Sequence, residues 1–149
     1  MEVSIITINY NSSDYTINLV KSILANISSA TEYEIIITDN ASKNHDYKNL
    51  VDNIPKDNRV KILKSNLNTG FAGGNMNGYS ESCGKYLLFI NNDCECLNDI
   101  LHPLIHFIKN NIKLGLLTGK VIGINGKYTG THKLFPSFTK SIFGTEVNR

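Results

Sequence analysis

The sequence predicts an α/β protein built on a mostly parallel, doubly wound sheet. Three observations carry this. Apolar, β-branched runs alternate with segments of helical periodicity. Polar residues stand at the exits of the first, second and fourth runs, and a glycine-rich segment follows the third. In such sheets ligands bind at the carboxyl ends of the strands, near the point where strand order reverses.

The elements follow in order. VSIITIN (3–9) is nearly all apolar, as a strand covered on both faces requires. Ser12, Ser13 or Asp14 can start a helix whose apolar positions are Val20, Ile23, Leu24 and Ile27. YEIIITD (33–39) is a second buried strand, and residues 46–54 form a short helix stopped at Pro55. RVKILKS (59–65) is a weaker strand suited to an edge. Residues 66–83 begin as a glycine-rich loop and end as a helix. YLLFIN (86–91) is a fourth buried strand. Ile100 to Ile112 give an amphipathic helix that tolerates Pro103 only in its first turn. KLGLLTGKVIG (113–123) is expected to be a fifth strand, and 124–149 is irregular.

Bulk properties exclude several classes. The chain has 149 residues and a net charge of +2, with its lysines scattered, which argues against nucleic acid as a partner. No apolar run is long enough to span a bilayer, and residues 3–8 lack the basic lead of a signal peptide. Three cysteines without a secretion signal suit reduced thiols in a cytoplasm. A cytoplasmic protein, at most peripheral at the inner face of the membrane, is expected. The sequons at Asn11, Asn26 and Asn40 are then chance matches in an Asn-rich chain.

The polar strand exits are Asn9, Tyr10 and Asn11; Asp39 and Asn40; and Asn91, Asn92 and Asp93. No P-loop signature is present, and the first strand is not followed by the dinucleotide fingerprint. If phosphates bind here, a divalent cation is the natural substitute, and Asp93 is placed to hold it. Cys94 and Cys96 are too few for a closed zinc site. The i, i+4 pair His102 and His106 lacks the HExxH context. Asp93 with Asn91 could also form only a polar turn, and Gly70, Gly73 and Gly74 could serve only a turn and close helix packing. Glu95 suits solvent or the cation.

In order and at ordinary spacing, VSIITINYN, IIITDNAS, NTGFAGGNMNG and LLFINNDCE resemble the amino-terminal half of bacterial family 2 glycosyltransferases. The likeness is nearest to the rhamnosyltransferase-like branch and covers residues 2–123. LFPSF (134–138) is similar more loosely. The resemblance implies a GT-A fold, a truncated three-layer α/β/α arrangement, with 1–123 as donor-binding half and 124–149 as an incomplete start of the acceptor half. It implies a UDP- or dTDP-sugar donor and a saccharide or lipid-linked acceptor in surface polysaccharide synthesis, with inversion. Asp39 matches the acidic residue that contacts the base or ribose, and Tyr10 and Asn11 the segment beside the base. Asn68, Gly70, Phe71 and Asn75 match the donor-facing segment. Asn91-Asn92-Asp93 matches the D-x-D position in its N-x-D form, with Asp93 on Mg²⁺ or Mn²⁺.

Two departures matter. Met76 stands where a second Asn is usual. The catalytic base is expected beyond Arg149, since Glu146 is the sole carboxylate in 124–149 and its context does not match. The expectation is therefore donor binding with little or no transfer, and self-association as a homodimer through an exposed sheet edge. The alternative is a non-catalytic nucleotide-binding or interaction module that kept the fold.

Overall fold

The structure, a computed structural model, describes residues 1–129. The chain divides into two units, Met1–Phe107 and Ile108–Arg149. The first holds four strands, β1 (Val3–Asn9), β2 (Tyr33–Asn40), β3 (Val60–Ser65) and β4 (Tyr86–Phe89). They form one sheet in the order β3-β2-β1-β4, with every pairing parallel. Helices α1 (Ser13–Asn26), α2 (Asn44–Asn53) and α3 (Gly70–Ser80) fall between successive strands, and α4 (Leu101–Lys109) follows β4. From β1 the chain steps outward to β2 and β3, then returns to the other side of β1 for β4. Strand order thus reverses between β1 and β4.

Period-two alternation assigns the two faces. Val3 and Ile5 of β1 and Tyr33, Ile35 and Ile37 of β2 belong to one core cluster with Ile17, Leu19, Val20 and Ile23 of α1 and Leu50 of α2. Leu101 and Ile105 of α4 join it. The opposite face meets α3, where close approach is possible because two helix positions lack side chains. A Cβ on Gly78 would lie 2.5 Å from Ile6 Cγ2, and one on Gly74 would lie 2.9 Å from Ile8 Cδ1. The glycine-rich segment is therefore helical almost from its start, with Gly70 at φ +72° opening it.

Local signals behave as their chemistry dictates. Ile54 is extended ahead of Pro55, which ends α2 at Asn53. Pro103 is the third residue of α4, where a missing N–H costs no helical bond. Asp99 Oδ1 accepts the Leu101 and His102 N–H groups at 3.1 and 3.2 Å and so caps that helix. β3 lies at a sheet edge, as expected.

Three expectations are corrected. β4 ends at Phe89 and is covered on one face only: Leu87 and Phe89 are 39% and 47% exposed. They share the α3 face of the sheet, but α3 packs chiefly over β1 and β2. α4 stops at Lys109, leaving Ile112 exposed. Residues 113–123 form no strand. Gly115, Gly119 and Gly123 interrupt the run, and the pairing seen is one antiparallel bridge, Ile122 to Tyr128, across a turn with Gly126 at φ +72°. The expectations for LFPSF and Glu146 lie outside the described residues.

Candidate functional site

All strands being parallel, their carboxyl ends share one edge of the sheet. There, beside the β1/β4 reversal, opens a cavity of about 440 Å³. That is within the range of roughly 300–1,000 Å³ usual for small-molecule sites. Its walls come from four exits. Ile8, Tyr10 and Ser12 follow from β1, and Asn40 from β2. Asn68, Gly70, Phe71 and Asn75 come from the β3–α3 connection and the first turns of α3. Phe89, Ile90, Asn91, Asn92 and Asp93 come from the end of β4 and the turn after it.

Eight of the ten sequence-predicted residues thus meet on one wall or another: Tyr10, Asn68, Gly70, Phe71, Asn75, Asn91, Asn92 and Asp93. Tyr10 is about half exposed and Phe71 more so, presenting aromatic faces at the mouth. Asp93 and Asn91 are exposed within the turn, which is closed by a Cys94 N–H to Asn91 carbonyl bond of 3.1 Å.

The other two, Asn11 and Asp39, do not line the cavity. Asn11 sits at φ +52°, its N–H donating to Ser42 Oγ at 2.9 Å and its Oδ1 accepting the Lys43 N–H at 2.8 Å. It braces the loop after β2. Asp39 is fully buried, with Oδ1 accepting from Asn9 Nδ2 at 2.9 Å and Oδ2 from the Ser42 N–H at 3.2 Å. The strand pleat explains this. Asp39 is in register with Asn9 and shares its face, toward α1 and α2, whereas the cavity opens on the α3 face.

The neighbour on the cavity side of that pleat is Asn40. Its Nδ2 donates to Asn68 Oδ1 at 2.9 Å and to the Gly70 carbonyl at 3.1 Å. Its Oδ1 accepts both the Thr69 N–H and the Thr69 hydroxyl at 3.1 Å. One buried amide therefore fixes the whole turn that presents Gly70 and Phe71. Sequence reasoning named Asn40 as a strand-exit residue but gave the ligand role to Asp39; the alternation of β2 was the signal that could have separated them.

Beneath the site lies a buried polar cluster. Asp46 of α2 accepts the Ser13 N–H and hydroxyl at 3.0 and 2.8 Å and Asn9 Nδ2 at 2.9 Å. Burial pushes the Asp46 carboxyl up, but the hydrogen bonds from Ser13, Asn9 and Ser42 outweigh it and hold the group below its ordinary value. In the turn, burial and the neighbouring Asp93 carboxylate push the Cys94 thiol up, keeping it protonated and a poor metal ligand. Cys96 is buried and its thiol is raised by burial. Glu95 is exposed.

The donor set fits a hard cation in one way only. Among the described residues no group of three His, Cys, Asp or Glu side chains converges. Asp93 offers one carboxylate in an oxygen- and amide-lined cavity. That suits a Mg²⁺- or Mn²⁺-type ion that takes most of its ligands from phosphate and water, and does not suit a closed protein cage.

Comparison with known proteins adds the lineage. Residues 4–146 match the family profile described as "Glycosyl transferase family 2". The chain belongs to that family. Among relatives of this glycosyltransferase chain, the poly(ribitol-phosphate) beta-glucosyltransferase of Bacillus spizizenii is 28% identical over 128 residues, 85% of this chain and 20% of that protein. Polypeptide N-acetylgalactosaminyltransferase 11 of Xenopus tropicalis is 33% identical over 82 residues, 53% of this chain and 14% of that protein. The chain spans no more than about a fifth of either relative's length. Its fold matches the crystal structure of S. aureus TarS 1-349, with TM-score 0.63 at 24% identity, over 75% of this chain and 33% of that one. The structure of the same protein in complex with UDP matches with TM-score 0.61 at 18% identity, over 85% and 43% of the two chains. The GT-A-like α/β fold expected from the motifs is the one found. Among the described residues, no helix is long and apolar enough to cross a membrane.

Proposed function

We propose that this chain is the nucleotide-sugar donor part of a glycosyltransferase that takes a UDP- or dTDP-sugar with a divalent cation, Mg²⁺ or Mn²⁺. The observation that carries the reading is the convergence of eight predicted residues from three separate strand exits, with Asn40 from a fourth, on a single cavity at the strand-order reversal. Tyr10 and Phe71 offer apolar faces to a base or sugar, and the Gly70 turn lets backbone approach a ligand closely. Asp93, with Asn91 beside it, would hold the cation. A hard cation there supplies charge neutralisation for a departing nucleoside diphosphate. Asp39 serves from behind, ordering the loop after β2 through Ser42 and Asn9.

In the whole protein a saccharide or lipid-linked hydroxyl is the acceptor, as in surface polysaccharide synthesis, with inversion at the anomeric carbon. Donor binding with little or no sugar transfer is the behaviour expected of residues 1–149 on their own. Residues 1–123 act as the donor half. The half-covered β4 edge supports pairing with a second copy.

Calorimetric titration of UDP and dTDP, with and without Mn²⁺, tests the reading. Binding that requires Mn²⁺ and is abolished by Asp93→Ala is expected. Metal-independent affinity, or none, overturns it. A protein that binds nucleotide equally well with Asp93→Ala would instead be a module that kept the fold and lost the reaction.

A further inference from the structure

The middle residue of the Asn91-Asn92-Asp93 turn behaves differently from its neighbours. Its amide nitrogen turns inward, donating to Ser12 Oγ at 2.7 Å, just before α1, and to Thr16 Oγ1 at 2.9 Å, in its first turn. Thr16 is fully buried, and its hydroxyl lies 2.9 Å from Asn9 Oδ1. Asn9, also fully buried, reaches Asp39 and Asp46 with its nitrogen, each at 2.9 Å.

The directions in this chain are forced from its far end. Ionised carboxylates only accept, so Asn9 must turn its N–H₂ to Asp39 and Asp46. Its Oδ1 then faces Thr16 and must accept. Thr16 has one proton and gives it to Asn9, which leaves Thr16 only lone pairs for Asn92. Asn92 must therefore present N–H. The requirement at position 92 is for a donor, set by two carboxylates that it never touches.

We propose that Asn92 is a positioning residue for the cation turn. Its amide ties the exit of β4 to α1, so that the carboxylate of Asp93 and the amide of Asn91 are held facing the cavity. This rests on the cation reading above and deepens it: within the N-x-D triplet, the outer residues face the ligand and the central one is an anchor that a carboxylate cannot replace without breaking the Thr16–Asn9 bond. An aspartate at 92 would set a negative charge against the oxygens of Ser12 and Thr16. The Ser12 hydroxyl could turn its proton toward that charge, but Thr16 could do so only by withdrawing its proton from Asn9.

The two roles open to position 92 predict opposite signs. If Asn92 were a cation ligand, Asn92→Asp would tighten Mn²⁺ binding. As an anchor, Asn92→Asp and Asn92→Ala should each raise the Mn²⁺ concentration that half-saturates UDP binding, by about tenfold for the loss of two ordinary hydrogen bonds. Thr16→Val, at a residue outside the cavity, should do the same, and combining it with Asn92→Ala should add little. Thermal melts check that each variant is folded. A tighter or unchanged Mn²⁺ midpoint in the folded Asn92→Asp protein overturns the proposal, as does full additivity. Wild-type protein that binds no UDP with Mn²⁺ overturns instead the cation reading. The anchor is then decided by NMR hydrogen exchange of side-chain amides, in which Asn92 should exchange more slowly than Asn91 and lose that protection in Thr16→Val. Equal rates for Asn91 and Asn92 sink it.

Discussion

Asn40 and Asn68 meet side chain to side chain at 2.9 Å, linking the end of β2 to the turn before α3 across 28 residues of sequence. The same Asn40 amide holds Thr69 and Gly70 as well. Asn40 is 2% exposed, so truncation would strand several polar groups away from water. Asn40→Ala is expected to cost about 1–3 kcal/mol in chemical denaturation. It should also weaken UDP binding by loosening the Gly70 turn. Asn40→Asp, which keeps the acceptor toward Thr69 and loses the donor toward Asn68, should fall between the two. Wild-type binding by Asn40→Ala would show that the turn holds itself.

Gly78→Ala should destabilise the fold by about 1–3 kcal/mol, because the added methyl would overlap a buried, β-branched side chain that cannot swing away. Ile6→Ala removes the obstructing Cγ2. The double variant should therefore lose less than the two single losses combined, as denaturant midpoints would reveal. Simple additivity would mean that the helix shifts to accommodate the methyl.

Acid should unfold the protein partly through Asp46. Its folded pKa lies below the ordinary 3.8, so it stabilises the fold above that value, and this contribution disappears as pH falls through the lower, folded value. Urea midpoints measured from pH about 5 down to about 2 should fall more steeply in the wild type than in Asp46→Asn. At neutral pH the variant should already be weaker, since an amide cannot accept from Ser13 and Asn9 through both atoms. A parallel pH profile for the two proteins would assign the acid limb to other carboxylates.

The uncovered side of β4 predicts association. Leu87 and Phe89 point to the same open face, and β4 pairs only with β1 among the described strands. Light scattering should show a concentration-dependent dimer, which Leu87→Lys together with Phe89→Lys returns to monomer. A wild-type protein that stays monomeric at every concentration removes this expectation.

Much of the architecture was readable in advance because its signals are local. The β-branched runs of β1 and β2 are buried on both faces, and their composition says so. Pro55 and Pro103 act through backbone geometry that no tertiary context alters. The failures have a common physical origin in coverage, which depends on partners distant in sequence. The apolar YLLFIN reads as buried, yet α3 leaves its outer face open. The run 113–123 has the composition of a strand but gains no ladder among the described residues. Within the site, residue types were legible and orientation was not. Asp39 looked chemical by type, while the pleat turns it away and gives the cavity to Asn40.

The seating of Gly74 and Gly78 on Ile8 and Ile6 has a mechanical consequence. With backbone resting directly on side-chain methyls, α3 has no slack in which to slide or roll over the sheet. The wall carrying Gly70 and Phe71 is thereby stiff. The opposite wall leaves a four-residue strand that pairs along one side only among the described strands and is tied to α1 through side-chain hydrogen bonds, which makes it the more compliant half. Adjustment to sugars of different bulk should fall to the segment after β4, with α3 as the fixed jaw of the vice.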